Sequence, residues 1–219
     1  MQARLAARTR FFDEQVLAAL SGGISQVVIA GAGYDDRALR FRSPGVRYFE
    51  LDHPATQADK RRRLRRMKAD DSGLTLLAAD FRDGDVAGVL ARSSHHPGRP
   101  SLFLGEGLLV YLDQQTTIEL LAGLHSRAAA GSLLAVSLAV HPDGLDSASV
   151  VARANARRSN AASEPWRTIL PASSQRRLLA EAGWVVTAAT DDTTGPRRSL
   201  LVTAQPAPGH HPPGDGSLG

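Results

Sequence analysis

Four short apolar runs in the first half of the chain each end in residues that can do chemistry. The first, "VVIAGAGYDD", runs into Gly31 and Gly33 and then at once into Asp35 and Asp36. Glycines after a strand let backbone N–H groups approach a ligand at the start of the following helix. The second, "YFELDHP", sets Glu50 and Asp52 two positions apart, so in a strand both carboxylates point to one side, where an acid can grip a ribose diol. The third, "AADFRD", offers Asp80 as an acceptor for an adenine amino group and Phe81 as a ring cover; the fourth, "LGEGLLVYL", brings Glu106 to the same edge. Four successive strand ends delivering glycines or a carboxylate to one rim describe a ligand crevice.

The glycine loop narrows the ligand. A dinucleotide fingerprint would require a third glycine at position 36, where this chain has Asp36. Two carboxylates there would repel a pyrophosphate and compete for the same helix N-terminus, which disfavours a phosphate-bearing cofactor. S-adenosylmethionine has no phosphate and carries a sulfonium, an ammonium, a carboxylate, a ribose and an adenine. Asp35 and Asp36 then either lie near its cationic end or brace and cap the loop. Asp52 has a helix-capping alternative, since it stands just before Pro54.

The elements that must position these groups follow from hydrophobic pattern. Strands are expected at 26–31, 46–51, 74–80, 101–107, 132–140, 184–190 and 198–205, and helices at 9–20, 54–68, 83–92, 113–130 and 173–183. The alternation predicts an α/β, Rossmann-like fold: a seven-stranded, mainly parallel sheet with helices on both faces. "DDTTGPR" between the last two strands is too short for a parallel crossover, so these should form a C-terminal antiparallel hairpin. One domain is expected over 1–205, with 141–172 a substrate-covering insertion and 206–219 a disordered tail with four prolines in "PAPGHHPPGDGSLG". His210 and His211 in that tail lack the further fixed ligands a metal would need, and no metal site is expected.

Composition bounds the partners. The chain has 219 residues, no cysteine and a net charge of +4, and no run approaches a membrane span or a secretory leader. A cytoplasmic location, with no membrane partner, is the expectation. The basicity is local: "KRRRLRRMK" (60–68) holds seven of the 26 lysines and arginines and no acid. On a helix, Arg62, Arg63 and Arg66 share one face and Leu64 and Met67 mark another, which reads as a solvated helix face. With no aromatic residue interleaved, nucleic acid is not an expected partner.

Read together and in order, "RTRFFD", "VVIAGAGYDDRALRF", "YFELDHP", "AADFRD", "GEGLLVYL", "SEPWR" and "LLAEAGW" resemble the leucine carboxyl methyltransferase family of class I S-adenosylmethionine-dependent methyltransferases, including bacterial members acting on small molecules. The resemblance implies that Arg8, with Arg10 as the alternative, binds the cofactor carboxylate. It further implies that Gly31 lines the methionine side, Asp52 the ribose, Asp80 and Phe81 the adenine, and Glu106 the ammonium region. For the arginines, a salt bridge to Asp13 or Glu14 is the competing role. Two departures stand out. Few residues precede "RTRFFD" where the family usually carries another helical segment, so a pocket more open, lined differently or completed by a second subunit of a homo-oligomer is expected; and Gly105 replaces a commoner alanine.

The reaction these features imply is O-methylation of a carboxylate or hydroxyl of a small molecule, as in secondary metabolism. A carboxylate acceptor is already ionised, whereas a hydroxyl benefits from a base. Tyr111 and His141 are the candidates for one, each with a packing role as the alternative, and Arg153, Arg157 and Arg158 could meet an acidic acceptor. The rivals are a protein of this build that binds the cofactor or a metabolite without methyl transfer, and a nucleotide-dependent oxidoreductase, which Asp36 opposes.

Overall fold

The computed structural model describes residues 2–157, 164–192 and 198–209, with backbone only at 2–6 and 192. Arg158, the hairpin connection 193–197 and the tail from 210, with His210 and His211, lie outside the described residues. The elements run α1 (Gln2–Ser21), β1 (Gln26–Ala30), α2 (Arg37–Arg40), β2 (Arg47–Asp52), α3 (Pro54–Met67), β3 (Leu74–Ala78), α4 (Val86–Ala91), β4 (Ser101–Gly105), α5 (Gln114–His125), β5 (Leu133–His141), α6 (Ser147–Ala156), β6 (Leu170–Pro171), α7 (Ala172–Glu181), β7 (Trp184–Asp192) and β8 (Arg198–Pro206). The sheet order is β3-β2-β1-β4-β5-β8-β7, with the two-residue β6 beside β5.

β1 to β5 pair in parallel, while β8 runs antiparallel to both β5 and β7, as the short connection demanded. Every residue of β1 and β4 is buried, which is why their apolar runs are continuous rather than alternating. Odd and even positions serve two cores. Val27, Ile29, Tyr48, Leu102 and Leu104 pack under Phe12, Val16 and Ala19 of α1. Val28, Phe49, Leu51 and Phe103 pack against Leu90 of α4, Leu120, Leu121 and Leu124 of α5, Leu178 and Leu179 of α7, and Trp184. The chain steps outward from β1 through β2 to β3, then returns across the other face to β4. The reversal opens a crevice above the carboxyl ends of β1 and β4, where open α/β sheets take ligands.

Two local expectations change. The 83–92 helix shortens to α4, because Asp80 opens a turn of 3₁₀ helix over Phe81–Asp83 and Asp85 caps a new start by accepting from the Gly88 N–H. On α3 the buried stripe is Gln57, Lys60 and Leu64, at spacings of three and four; Met67, beyond the stripe's last turn, is 70% exposed. Lys60 therefore stands apart from Arg62, Arg63 and Arg66 of the same basic run, which keep the solvated face expected for them. The 141–172 segment contains α6 and β6 and docks on the turn after β4. There Val110 O accepts from the N–H groups of Arg167 (2.7 Å) and Thr168 (3.2 Å), and Asn155 pairs with the Trp166 backbone through two bonds of 2.9 Å. No described helix is long and apolar enough to cross a membrane.

Candidate functional site

The crevice floor is the glycine loop. Gly31 has φ +65°, and a Cβ there would sit 2.8 Å from Leu108 Cδ1, so both the backbone and the packing require glycine. Gly33 has φ +49° and faces open space. Its N–H donates to Asp52 Oδ2 at 2.6 Å, and Asp52 Oδ1 accepts from the His53 N–H at 2.7 Å. Asp52 thus couples the ends of β1 and β2 and remains partly exposed at the rim. A pyrophosphate would need the Gly33 amide that Asp52 already occupies, a firmer objection to a dinucleotide than the acids of the loop supply.

Those acids do not stand bare at the mouth. Asp35 turns inward: Oδ1 accepts from the Arg37 N–H at 2.8 Å and Oδ2 pairs with the Arg37 guanidinium, leaving its side chain 9% exposed. Burial pushes its carboxyl upward against the pull of Arg37. Asp36 turns outward onto Arg40 at 2.7 Å and makes no side-chain cap bond. Asp35 accordingly braces the loop, which removes it from the rim set expected to touch cofactor.

Glu50 is corrected in the same way. It shares a side of β2 with Asp52 but lies one layer down, fully buried, with its carboxylate on Lys60. Lys60 Nζ also donates to Asp35 O at 2.6 Å and Gln57 donates to Glu50 O at 2.7 Å, so Glu50 belongs to a strut beneath the loop. Burial pushes its carboxyl up to about 7.

At the opposite wall, Glu106 follows β4. Its Oε1 accepts from Arg8 Nε at 2.8 Å and its Oε2 meets Arg37 Nη1 at 2.8 Å. Arg8 thus stands at this wall while Arg10 is exposed, and among the described residues Arg8 pairs with neither Asp13 nor Glu14; Asp13 is taken by Arg37 and Arg40. The adjoining Gly107 N–H donates to Ser137 Oγ at 2.8 Å, tying this wall to β5.

The third wall is less open than expected. Both oxygens of Asp80 accept from the Arg82 guanidinium, at 2.9 and 2.5 Å, and one also from the Arg82 N–H; these bonds hold its carboxyl at about 2. Phe81 is 8% exposed and packs in the core, so it offers the crevice an edge at most. His141 is buried, with Nδ1 2.7 Å from Pro142 O and Nε2 2.8 Å from Ser147 Oγ, so both ring nitrogens are engaged. Tyr111 is half-buried in the turn after β4. Arg153 and Arg157 lie on the exposed side of α6 and just after it. Among the described residues no cluster of His, Cys, Asp and Glu could hold a metal.

The rim therefore pairs a cation and an anion, Arg8 and Glu106, across from a carboxylate, Asp52, held by loop amides. That set suits a ligand with an amino-acid zwitterion at one end and a diol at the other. Sequence reasoning missed Arg37, Lys60 and Ser137. Arg37 and Lys60 read as ordinary helix charges, and only pairing between distant segments reveals them.

Comparison with known proteins agrees with this build. Residues 1–125 match the family model described as leucine carboxyl methyltransferase. A Streptomyces avermitilis protein is 39% identical over 133 residues, 60% of this chain and 47% of that protein. A Mycobacterium tuberculosis protein is 35% identical over 195 residues, 83% of this chain and 57% of that protein. Both carry the provisional name S-adenosyl-L-methionine-dependent methyltransferase. The chain spans about half the length of the curated relatives it matches. Among solved structures, the magnesium protoporphyrin IX methyltransferase of Synechocystis, with bound S-adenosylhomocysteine, superposes with a TM-score of 0.60 at 14% identity, over 93% of this chain and 85% of that one. Mitomycin 7-O-methyltransferase gives 0.60 at 18%, over 84% and 50%. At these identities the likeness is one of fold, that of the class I methyltransferases. On a model match extending over more than half of its length, this chain belongs to the leucine carboxyl methyltransferase family.

Proposed function

We propose that the chain is an S-adenosylmethionine-dependent O-methyltransferase that methylates a carboxylate or hydroxyl of a small molecule. The observation that carries the reading is the rim itself: Asp52 held by the Gly33 N–H on one side, and the Arg8–Glu106 pair on the other. Arg8 would take the cofactor's carboxylate, Glu106 its ammonium, Asp52 its ribose hydroxyls and Asp80 its adenine amino group, once Arg82 yields one oxygen. When bound, S-adenosylmethionine supplies an electrophilic methyl group on a sulfonium. What the chain then provides is orientation and exclusion of water, because in-line displacement depends on the placement and desolvation of the nucleophile.

A carboxylate acceptor needs no base. For a hydroxyl acceptor, His141 Nε2 is the candidate only if it gives up the Ser147 hydroxyl, since the Nδ1–H bond to Pro142 O leaves Nε2 as the ring's acceptor. The docked 164–172 segment is the candidate cover for the acceptor. Mitomycin 7-O-methyltransferase, a neighbour in fold, transfers methyl to an oxygen, which supports the same kind of acceptor here; the acceptor screen begins with aromatic acids and phenols. We place the protein in the cytoplasm, with neither nucleic acid nor membrane as partner, and leave a second subunit as one way of completing the pocket.

Calorimetric titration with S-adenosylmethionine and with NAD(H), repeated on Asp52→Ala, tests the cofactor. Saturable binding of the first alone, weakened by the substitution, is the expected result; binding of NAD(H) instead, or of neither, defeats the reading. Release of S-adenosylhomocysteine in the presence of small acids and phenols separates a transferase from a protein that binds without transfer.

A further inference from the structure

Arg37 opens the four-residue helix α2, where a guanidinium would ordinarily reach into water, yet it is 4% exposed. It meets three carboxylates from three parts of the chain: Asp13 of α1 at 2.7 Å, Asp35 of the glycine loop, and Glu106 after β4 at 2.8 Å. Its Nη2 donates to Thr9 O at 3.3 Å, and the guanidinium lies 5.6 Å from the centroid of the Phe12 ring. Burial alone would make this cation easier to discharge, but Asp35, Glu106 and Asp13 together keep it firmly protonated.

The two oxygens of Glu106 are divided. Oε2 belongs to buried Arg37, while Oε1 belongs to Arg8, whose side chain is 32% exposed. A ligand carrying an α-carboxylate and an α-ammonium can exchange only the second contact, with its carboxylate going to Arg8 and its ammonium to Oε1. Arg37 keeps Oε2 in place through the exchange, and no charge is left unpaired. Thr9 and Asp13 follow Arg8 on α1, so the same guanidinium also ties down the stretch of helix directly after Arg8.

We infer that Arg37 is the positioning residue of the amino-acid pocket, so that recognition of the cofactor's amino-acid end, and not of its nucleoside end, depends on it. The inference rests on the cofactor reading above. A lysine cannot replace it, because one compact ammonium cannot span three carboxylates and a carbonyl as a planar five-donor fork does.

Two ligands separate the possibilities: S-adenosylhomocysteine, which carries the amino-acid end, and 5′-methylthioadenosine, which keeps the nucleoside and thioether without it. Calorimetry and competition on the wild-type chain come first; binding of neither overturns the cofactor reading and this inference with it. In Arg37→Lys, S-adenosylhomocysteine should weaken by about tenfold or more while 5′-methylthioadenosine stays within about twofold. Equal weakening of both, or of neither, overturns the inference and leaves the cofactor reading standing. If circular dichroism shows that Arg37→Lys does not fold, Asp13→Asn carries the test by releasing one of the three carboxylates. It should narrow the gap between the two affinities by roughly threefold, and an unchanged gap counts against the role.

Discussion

Two ion pairs stand at the carboxyl edge of the same sheet, and their surroundings divide their roles. Glu50–Lys60 is closed off, with side chains 0% and 6% exposed, and ties β2 and α3 to the carbonyl of Asp35. Arg8–Glu106 is left half-open, at 32% and 16%. A buried pair holds position because neither charge has anywhere else to go; a pair within reach of solvent can trade partners with a ligand. The first is architecture beneath the crevice and the second is the part of the crevice that can respond.

The strongest way to break this division is to strip one charge from the closed pair. Lys60→Met leaves Glu50 buried without its cation, and Glu50 Oε1 already has no hydrogen-bond partner in the structure. Chemical denaturation should show a loss of about 3–5 kcal/mol, with most of it recovered in the double variant Glu50→Gln/Lys60→Met. A single-variant loss below about 1 kcal/mol would mean that water reaches this pair as it does a surface one.

The closed pair also predicts a pH signature. Burial raises Glu50 from 4.5 to about 7, so the stability linked to its proton is full below 4.5 and disappears as pH rises through 7. His95, buried between Phe49 and Phe103, is lowered by burial from 6.5 to about 4, so its contribution is full above 6.5 and disappears as pH falls through 4. Between 4.5 and 6.5 the two slopes oppose each other, which should flatten wild-type stability there. Glu50→Gln removes one slope, and stability should then rise with pH across that window, by on the order of 1 kcal/mol per unit. A variant as flat as the wild type would show that Glu50 is not protonated in this range.

The open pair should behave in the reverse sense. Arg8→Gln is expected to change unfolding free energy by no more than about 1 kcal/mol while weakening S-adenosylhomocysteine by roughly tenfold or more. Arg10→Gln, at an exposed neighbour two residues on, should alter neither. Affinity loss in both variants alike would assign the effect to general electrostatics rather than to the contact with Glu106.

The succession of strands, the hairpin and the carboxylates at the strand ends were legible because they follow from local pattern; the order of the strands across the sheet was not among them. Continuous apolar runs mark buried parallel strands, and seven intervening residues exclude a crossover. Asp52 and Glu106 could be placed by strand ends alone. Which carboxylate reaches the rim could not, because Glu50 and Asp52 share a side of β2 and differ only in depth, with Lys60 of α3 closing over Glu50. Arg37 was equally hidden, since its three partners come from segments far apart in the chain. Met67 misled for a simpler reason: the apolar pair Leu64 and Met67 suggested a stripe, whereas the real one is completed by Gln57 and Lys60, polar residues whose ends find partners inside.

The smallest expected effect tests the loop itself. Asp36→Gly would restore the glycine that a dinucleotide fingerprint requires, yet the structure predicts no gain of NAD(H) binding. Asp36 is 61% exposed on Arg40, so removing it takes away a surface pair and opens nothing in the crevice. The amide that would have to receive a phosphate remains on Asp52, which braces the loop from β2. Titration should therefore show S-adenosylhomocysteine affinity within about threefold of wild type and no heat with NAD(H). Binding of NAD(H) by this variant would mean that Asp52 releases the Gly33 N–H readily. The exposed acid at position 36, rather than the bonded one at 52, would then be what sets the ligand class of the loop.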